Sequence, residues 1–587
     1  MDRWDLSILY SGLDDPKFSA DMAALEVVTK EYTELSKRGN DTPRAQFLRE
    51  YIDMTVKLNT LVSKLSIFCS LSYSANTADV KSASALGKIM SLTSAVAGPS
   101  AAMSKVISSY PQLDELIAKD DFLSEYEYYL KNIKRDSKYL LSDKEEAVFA
   151  KLDISGAGAW SDLHSSLTSS LKVNYGDGEI TLSAVRNLAY DADPEVRKRA
   201  YEAELAAYEK IKEAVAFALN SIKLQVLSEC ELRGFESPLD KSLYDSRMKR
   251  ETLEALIGAI EEYLPVFHKY FLAKAKALGH KSGLPWYDLF APMGKVDKTF
   301  TVEDARDYLL NIFSYFDGEM HDLIKCAFDN NWIDFYPREN KVGGAFDCGI
   351  PTACESRVLT NFDGTLSAVL TLAHELGHSF HDRMVSTHSI INQDYTMPVA
   401  ETASTFNEVL VMETALKDAK TADEMLALLE SELMETSQII CDIYSRYKFE
   451  ASVFEHRPEE FMNADRLCEL MLDAQQLGYG DGLDKNLRHP FMWLCKGHYY
   501  SGGLSFYNYP YAFGGLFARG LYAKYKSEGK DFVPIYKAML RQTSLGDVED
   551  VAKIAGVDLT STDFWRQGLA GIAEKIEKYC ELAAKLS

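Results

Sequence analysis

Apolar residues return every three or four positions over most of this chain, which is the repeat of a helix with one buried face. Leu253, Leu256, Ile257, Ile260, Tyr263 and Leu264 fall on one such stripe, and Pro265 is expected to interrupt it. The same repeat covers roughly residues 18–135, 183–231, 302–327, 423–452 and 532–585, with little Gly or Pro between them and no fixed period that would make a solenoid. The pattern predicts a mainly α fold. Two stretches break the rule. Leu171 to Leu182 alternates around Gly176-Asp177-Gly178, which predicts a β-hairpin and a lobe boundary, so an N-terminal helical lobe is expected at 1–185 and a larger domain at 186–587. Asp334 to Asp363, with Gly343-Gly344, Pro351 and Val358-Leu359, predicts short strands and turns whose free edge can pair with an extended peptide.

Size and charge narrow the class. A chain of 587 residues exceeds what one core supports, so two or more packed lobes are expected. With 47% hydrophobic and 26% charged residues, it is far too apolar to be disordered. The formal net charge of −24 disfavours nucleic-acid and membrane-surface partners, because such a field repels phosphate backbones and anionic lipid. The first residues, Met1-Asp2-Arg3-Trp4-Asp5, lack the basic segment and apolar run of a secretory signal. The uncharged stretch Ile89–Ser104 contains Gly98-Pro99 and reads as a buried helix pair rather than a membrane span. Nine cysteines without a CxxC pair fit a reducing cytoplasm. Cys348 and Cys354 match no zinc ribbon and read as structural thiols.

The chemistry concentrates after residue 360. Leu366 to Met384 reads as a helix carrying His374-Glu375-Leu376-Gly377-His378. Histidines four positions apart lie one turn above each other, so both imidazoles can reach one metal ion. Glu375, beside the first of them, is the candidate general base for an attacking water. Leu366, Val369, Leu370, Leu372 and Ala373 bury the start of this helix, Asp363-Gly364-Thr365 supplies its cap, and Ser386 to Tyr395 must turn the chain back. A second helix is expected from Pro398, with Glu401 and Glu408 two turns apart on one face. A carboxylate in this position suits the third ligand of a His, His, Glu zinc site; we expect Glu401 in that role and Glu408 as the partner that orients a ligand. His381 shares the face of His374 and His378, but seven residues rise about 10.5 Å, too far for a common metal, so it is expected to pack or to support. Downstream, Lys496 to Gly515 is rich in Gly and phenols around His498, and is expected to form a mobile loop that can donate hydrogen bonds to an oxyanion.

Together, His374-Glu-Leu-Gly-His378-Ser-Phe-His381, Glu401-Thr-Ala-Ser-Thr-Phe-Asn-Glu408 and the His498–Tyr511 segment resemble the oligoendopeptidase F family of thimet-oligopeptidase-like zinc metallopeptidases. The resemblance implies a two-lobed helical body with a deep central channel that admits short unfolded peptides. It implies one zinc per chain on His374, His378 and Glu401, with Glu375 activating water and His498 and Tyr511 stabilising the transition state. Tyr507 and Tyr509 stand close enough to Tyr511 to compete for the phenol's role. The alternative reading is a zinc carboxypeptidase or dipeptidase on a similar helical scaffold, which would need a cationic clamp for the substrate's terminal carboxylate. A helical peptide-binding protein without activity is the third, and Glu375 argues against it, because binding alone needs no base.

Overall fold

The structure is a computed structural model, and it describes residues 3–295 and 298–585. Helix α1 (Pro16–Lys37) starts where the Asp15 carboxylate accepts the Lys17 N–H and Pro16 supplies the fixed φ of a first helical position. It packs on α2 (Arg44–Ala75), and the two contribute Phe18, Leu25, Tyr32, Phe47, Tyr51 and Phe68 to an apolar core that runs from Leu9 to Leu130 and takes in one distant residue, Ile350. The helix pair expected around residues 89–104 is present as α3 (Val80–Ser94) and α4 (Ala97–Ser108). It is buried on one side only: Ile89, Met103 and Ile107 point inward while Met90 is exposed. No helix among the described residues is long and apolar enough to cross a membrane.

The main core begins at Ala157, on α5 (Ala157–Ser170), and continues to Ala583. The hairpin follows as β1 (Lys172–Tyr175) and β2 (Gly178–Thr181), antiparallel with Tyr175 opposite Gly178. Gly176 takes φ +62° in the two-residue turn, where a side chain would cost about 1 kcal/mol. Pro265 does not end its helix, contrary to the sequence pattern: α6 (Arg250–Ala277) runs through it. Ile260, Leu264, Phe267, Tyr270 and Phe271 are buried on both sides of the proline. Burial at roughly 1.5–3 kcal/mol per large side chain exceeds the ~3 kcal/mol that an internal proline costs.

A second sheet has the order β3–β5–β4, from β3 (Ile333–Asp334), β4 (Phe346–Ile350) and β5 (Glu355–Leu359). β3 is parallel to β5 and β4 antiparallel to it, which leaves β4 at an edge. Both β4 and β5 pack on α7 (Leu366–Val385). α7 lies against α8 (Thr402–Asp418), and α9 (Ala422–Ser437) joins α10 (Ile443–His456) through a π turn at Gln438–Asp442. α11 (Tyr509–Glu528) packs on α8, and α12 (Thr562–Ala583) packs on α6, α9 and α11. The fold is mainly helical, with its small sheet beside α7.

Candidate metal centre

α7 has a well-defined start. Asp363 Oδ1 accepts the Thr365 N–H and O–H, and Thr365 Oγ1 accepts the Ala368 N–H. Gly364, at φ +82°, passes so close to Phe300 that a Cβ would stand 2.9 Å from its carbonyl oxygen. From there Val369, Leu372, Ala373, Leu376 and Phe380 are buried, which fixes the rotation of the helix and leaves His374 and His378 partly accessible. Their Nε2 atoms are 3.2 Å apart.

α8 reaches these imidazoles because Gly377 has no side chain. A Cβ there would lie 2.6 Å from both the Ala403 carbonyl oxygen and the Ser404 Cα. Asn407 Nδ2 then ties the pair by donating to the Ala373 carbonyl at 3.0 Å. Glu401 sits at the break between a single turn, Met397–Ala400, and α8, so it does not share an unbroken helix with Glu408 as the sequence suggested. From that break its Oε2 stands 3.4 Å from His374 Nε2 and 3.3 Å from His378 Nε2, and it accepts the Ser404 hydroxyl at 2.8 Å. Gly514 on α11 permits this position, since a Cβ there would approach Glu401 Cβ to 2.9 Å. Glu408 Oε1 lies 2.9 Å from His374 Nδ1, and accepting that N–H leaves Nε2 as the free donor atom of the ring.

These three atoms fit a zinc ion. Bonds of about 2.0–2.1 Å at tetrahedral angles put ligand atoms about 3.3–3.4 Å apart, and His374, His378 and Glu401 present their atoms at 3.2–3.4 Å. Among the described residues, no other group of three or more His, Cys, Asp or Glu side chains converges in this way. Cys348 and Cys354 are unpaired thiols, half-buried and exposed, outside this group.

Burial alone would lower the His374 pKa, but the Glu408 hydrogen bond and the charges of Glu408, Glu401 and Glu375 lift it to about 9. Burial would raise Glu401, and the hydrogen bond and charge of His378, with that of His374, pull it down to about 2. In the metal-free protein this pair stabilises the fold fully between the ordinary values of 4.5 and 6.5. That contribution fades as pH rises through about 9 or falls through about 2. A metal must displace the His374 proton, so its apparent affinity is expected to weaken about tenfold for each unit that pH falls below 9. Competition with a chromophoric chelator between pH 6.5 and 8.5 measures this slope; a flat profile would contradict it. Gly377→Ala is expected to destabilise the protein by about 1–3 kcal/mol in denaturant titration, because α7 and α8 must part to admit the methyl group.

Glu375 is buried on the same helix, and burial raises its carboxyl above the usual range against the charges of His374 and His378. The Asp347 backbone N–H turns toward that carboxylate, so the outer edge of β4 faces the centre. His381 points elsewhere: fully buried, it lies 2.7 Å from Thr543 Oγ1, stacks on Tyr395, and is held neutral by burial with its pKa down at about 3.

The segment expected to be one mobile Gly-rich loop divides in two. Residues up to Asn508 are mostly irregular, but Tyr509 onward is α11, where Gly514 and Gly515 serve close packing on Glu401 and Ile439. His498 is exposed, and its ring lies 4.9 Å from Tyr507 and 6.3 Å from Tyr511, centroid to centroid. Tyr511, in the first turn of α11, is close enough to Glu401 to feel its charge; burial first, then Tyr507, raises its phenol to about 12. Tyr509 is fully buried, with its hydroxyl between Ser242 and Ser246, and does not face this group. Sequence reasoning did not find Asp347, Ser404 or Asn407, whose roles rest on backbone placement. Gly377 was the one visible signal of the tight helix crossing.

The chain matches known proteins over nearly its whole length. The family model described as Oligopeptidase F matches residues 109–172, and that described as Peptidase family M3 matches residues 187–571. Oligopeptidase PepF of Bacillus subtilis (strain 168) is 26% identical over 484 residues, covering 81% of this chain and 72% of the relative. A crystal structure from Chlamydophila abortus superposes with a TM-score of 0.85 at 22% identity, covering 99% of this chain and 98% of that one. The structure of oligoendopeptidase-F from Enterococcus faecium does so with a TM-score of 0.72 at 18% identity, covering 97% and 99%. With more than half of its length matched by that family model, the chain belongs to peptidase family M3.

Proposed function

We propose that this peptidase is a zinc-dependent endopeptidase that hydrolyses internal bonds of short unfolded peptides, with one zinc per chain on His374, His378 and Glu401. One observation carries the reading: two imidazole nitrogens and a carboxylate oxygen converge at zinc-ligand spacing next to a buried carboxylate on the same helix turn. Relatives named oligopeptidase and oligoendopeptidase support the restriction to peptides.

Zinc, when bound, supplies a Lewis acid that makes a water easier to deprotonate and a carbonyl easier to attack. Glu375 takes the proton of the attacking water on its carboxylate and returns it to the leaving amine; its raised pKa brings it nearer the working pH, as a group that must both accept and donate requires. Tyr511 and His498 donate hydrogen bonds to the oxyanion. Tyr511 is favoured among the three phenols because it feels the charge of Glu401, while the Tyr507 hydroxyl donates to Met397 Sδ and Tyr509 is held by two serines. Glu408 fixes the tautomer of His374. The extended substrate pairs its backbone with the outer edge of β4, which Asp347 turns toward the centre. The division at 185 belongs to this reading and is supported by the two family matches, which meet between 172 and 187. So does a cytoplasmic location, supported by the nine unpaired cysteines.

Mass spectrometry of digests of peptides blocked at both ends tests the reading. Internal cleavage is expected. Cleavage only of peptides with a free C-terminus, releasing one or two residues at a time, would favour the carboxypeptidase.

A further inference from the structure

Beyond the metal centre, the chain carries an open cavity of about 290 Å³, at the lower end of small-ligand clefts. Three cations and one carboxylate line it: Arg186, Arg197, Lys496 and Glu204. That balance is unexpected in a protein with a formal net charge of −24. Arg197 is spoken for, since Asp288 Oδ1 accepts its Nε at 2.8 Å and its Nη2 at 2.7 Å. Glu204 serves several partners, with the Tyr208 hydroxyl at 2.9 Å, His489 Nε2 at 3.5 Å and Arg186 Nε at 3.6 Å. Lys496 has less. Its ammonium stands 4.0 Å from Asp442 Oδ2, an oxygen already held by Arg446 at 2.5 Å, and it donates no hydrogen bond to any described residue. A half-buried ammonium without a hydrogen bond has lost hydration and gained little in return, and an anion in the cavity would restore it.

Residues of the cavity wall neighbour residues of the proposed reaction site on two sides. Lys496 is two residues before His498, and after burial itself, Arg446 and Lys496 are what depress the His498 pKa. On the other side, Gln438 at the cavity wall lies one turn after Glu435, which lines a second cleft together with Glu408. Tyr190, Trp286, Tyr287 and Phe290 supply apolar wall area for side chains.

We propose that Lys496 and Arg186 form a carboxylate-binding subsite of the substrate cleft, which takes the C-terminal carboxylate or an acidic side chain of a bound peptide. The subsite rests on the peptidase reading above and deepens it. An anchored C-terminus would set the distance at which short peptides are cut, and an anchored Asp or Glu would set a sequence preference.

Binding, read separately from cleavage, tests it. Zinc-loaded protein carrying Glu375→Gln is titrated into short peptides with an uncharged N-terminal fluorophore, and anisotropy is followed. The first pair, without Asp or Glu, differs only in a free or amidated C-terminus; the second pair, both amidated, differs in one internal Glu or Gln. The carboxylate-bearing member of at least one pair is expected to bind about tenfold tighter, and the pair that responds identifies the source of the carboxylate. The preference should fall below about twofold in Lys496→Met and survive in Lys496→Arg; Arg186→Gln gives an independent reduction. Equal affinities within both pairs would overturn the subsite, even if Lys496→Met fails to fold. So would a preference unchanged in Lys496→Met and Arg186→Gln. Wild-type cleavage of the neutral amidated peptide reports on the endopeptidase reading alone: cleavage without binding preference removes the subsite only, and preference without cleavage removes the endopeptidase reading only.

Discussion

Glu375→Gln is expected to lower turnover on the order of 10²–10⁴-fold while the metal stays bound. The amide keeps the size of the carboxylate and can still meet the Asp347 edge of β4, but it cannot accept a proton from water. None of the three converging atoms belongs to Glu375, so the spacing of 3.2–3.4 Å is untouched. Removing a buried carboxylate also removes a desolvation cost, so the variant should be no less stable than wild type. Turnover under saturating peptide, with metal content from elemental analysis, checks both halves. Activity within a few-fold of wild type would remove Glu375 from the chemistry.

Glu401→Ala is expected to act on the metal itself. Losing a residue that merely orients a ligand costs about 10–100-fold in affinity, the effect expected of Glu408→Gln; losing a direct ligand should cost more than that. The two substitutions therefore separate the roles of the carboxylates on either side of His374. Glu401→Ala has a second signature in the metal-free protein. Glu401 is one of the charges that hold His374 at about 9, so an NMR titration should find the imidazole titrating lower in the variant. An unchanged His374 titration and unchanged metal affinity would place Glu401 outside the site.

The helical period carried most of the architecture, because burying one stripe of a helix leaves a signal in every turn. The hairpin was legible for the same reason, through alternation and the Gly176 turn. Pro265 misled because the local cost of a proline is visible in sequence, while the burial of Phe267, Tyr270 and Phe271 that outweighs it is tertiary. His374, Glu375 and His378 could be grouped because four-residue spacing on a helix is a distance. Glu401 needed the added assumption that a second helix returns to the first. Gly377 and Gly514 make that approach possible, and only coordinates reveal what a Cβ at either would strike. The aromatic segment shows the opposite limit: Gly514 and Gly515 looked like flexibility and are close-packing residues of α11. Among its phenols, Tyr509 differs from Tyr511 by half a turn of helix, yet one is buried against Ser242 and Ser246 and the other feels the charge of Glu401.

The most direct test is zinc stoichiometry measured beside cleavage of an internally quenched peptide blocked at both ends, for wild type as purified, after chelation and after zinc is restored. The account predicts one zinc per chain, internal cleavage that disappears with the metal and returns with it, and no cleavage at any stage by a His374→Ala, His378→Ala variant. Full cleavage by the metal-free protein, or a zinc that persists in that double variant, would contradict it.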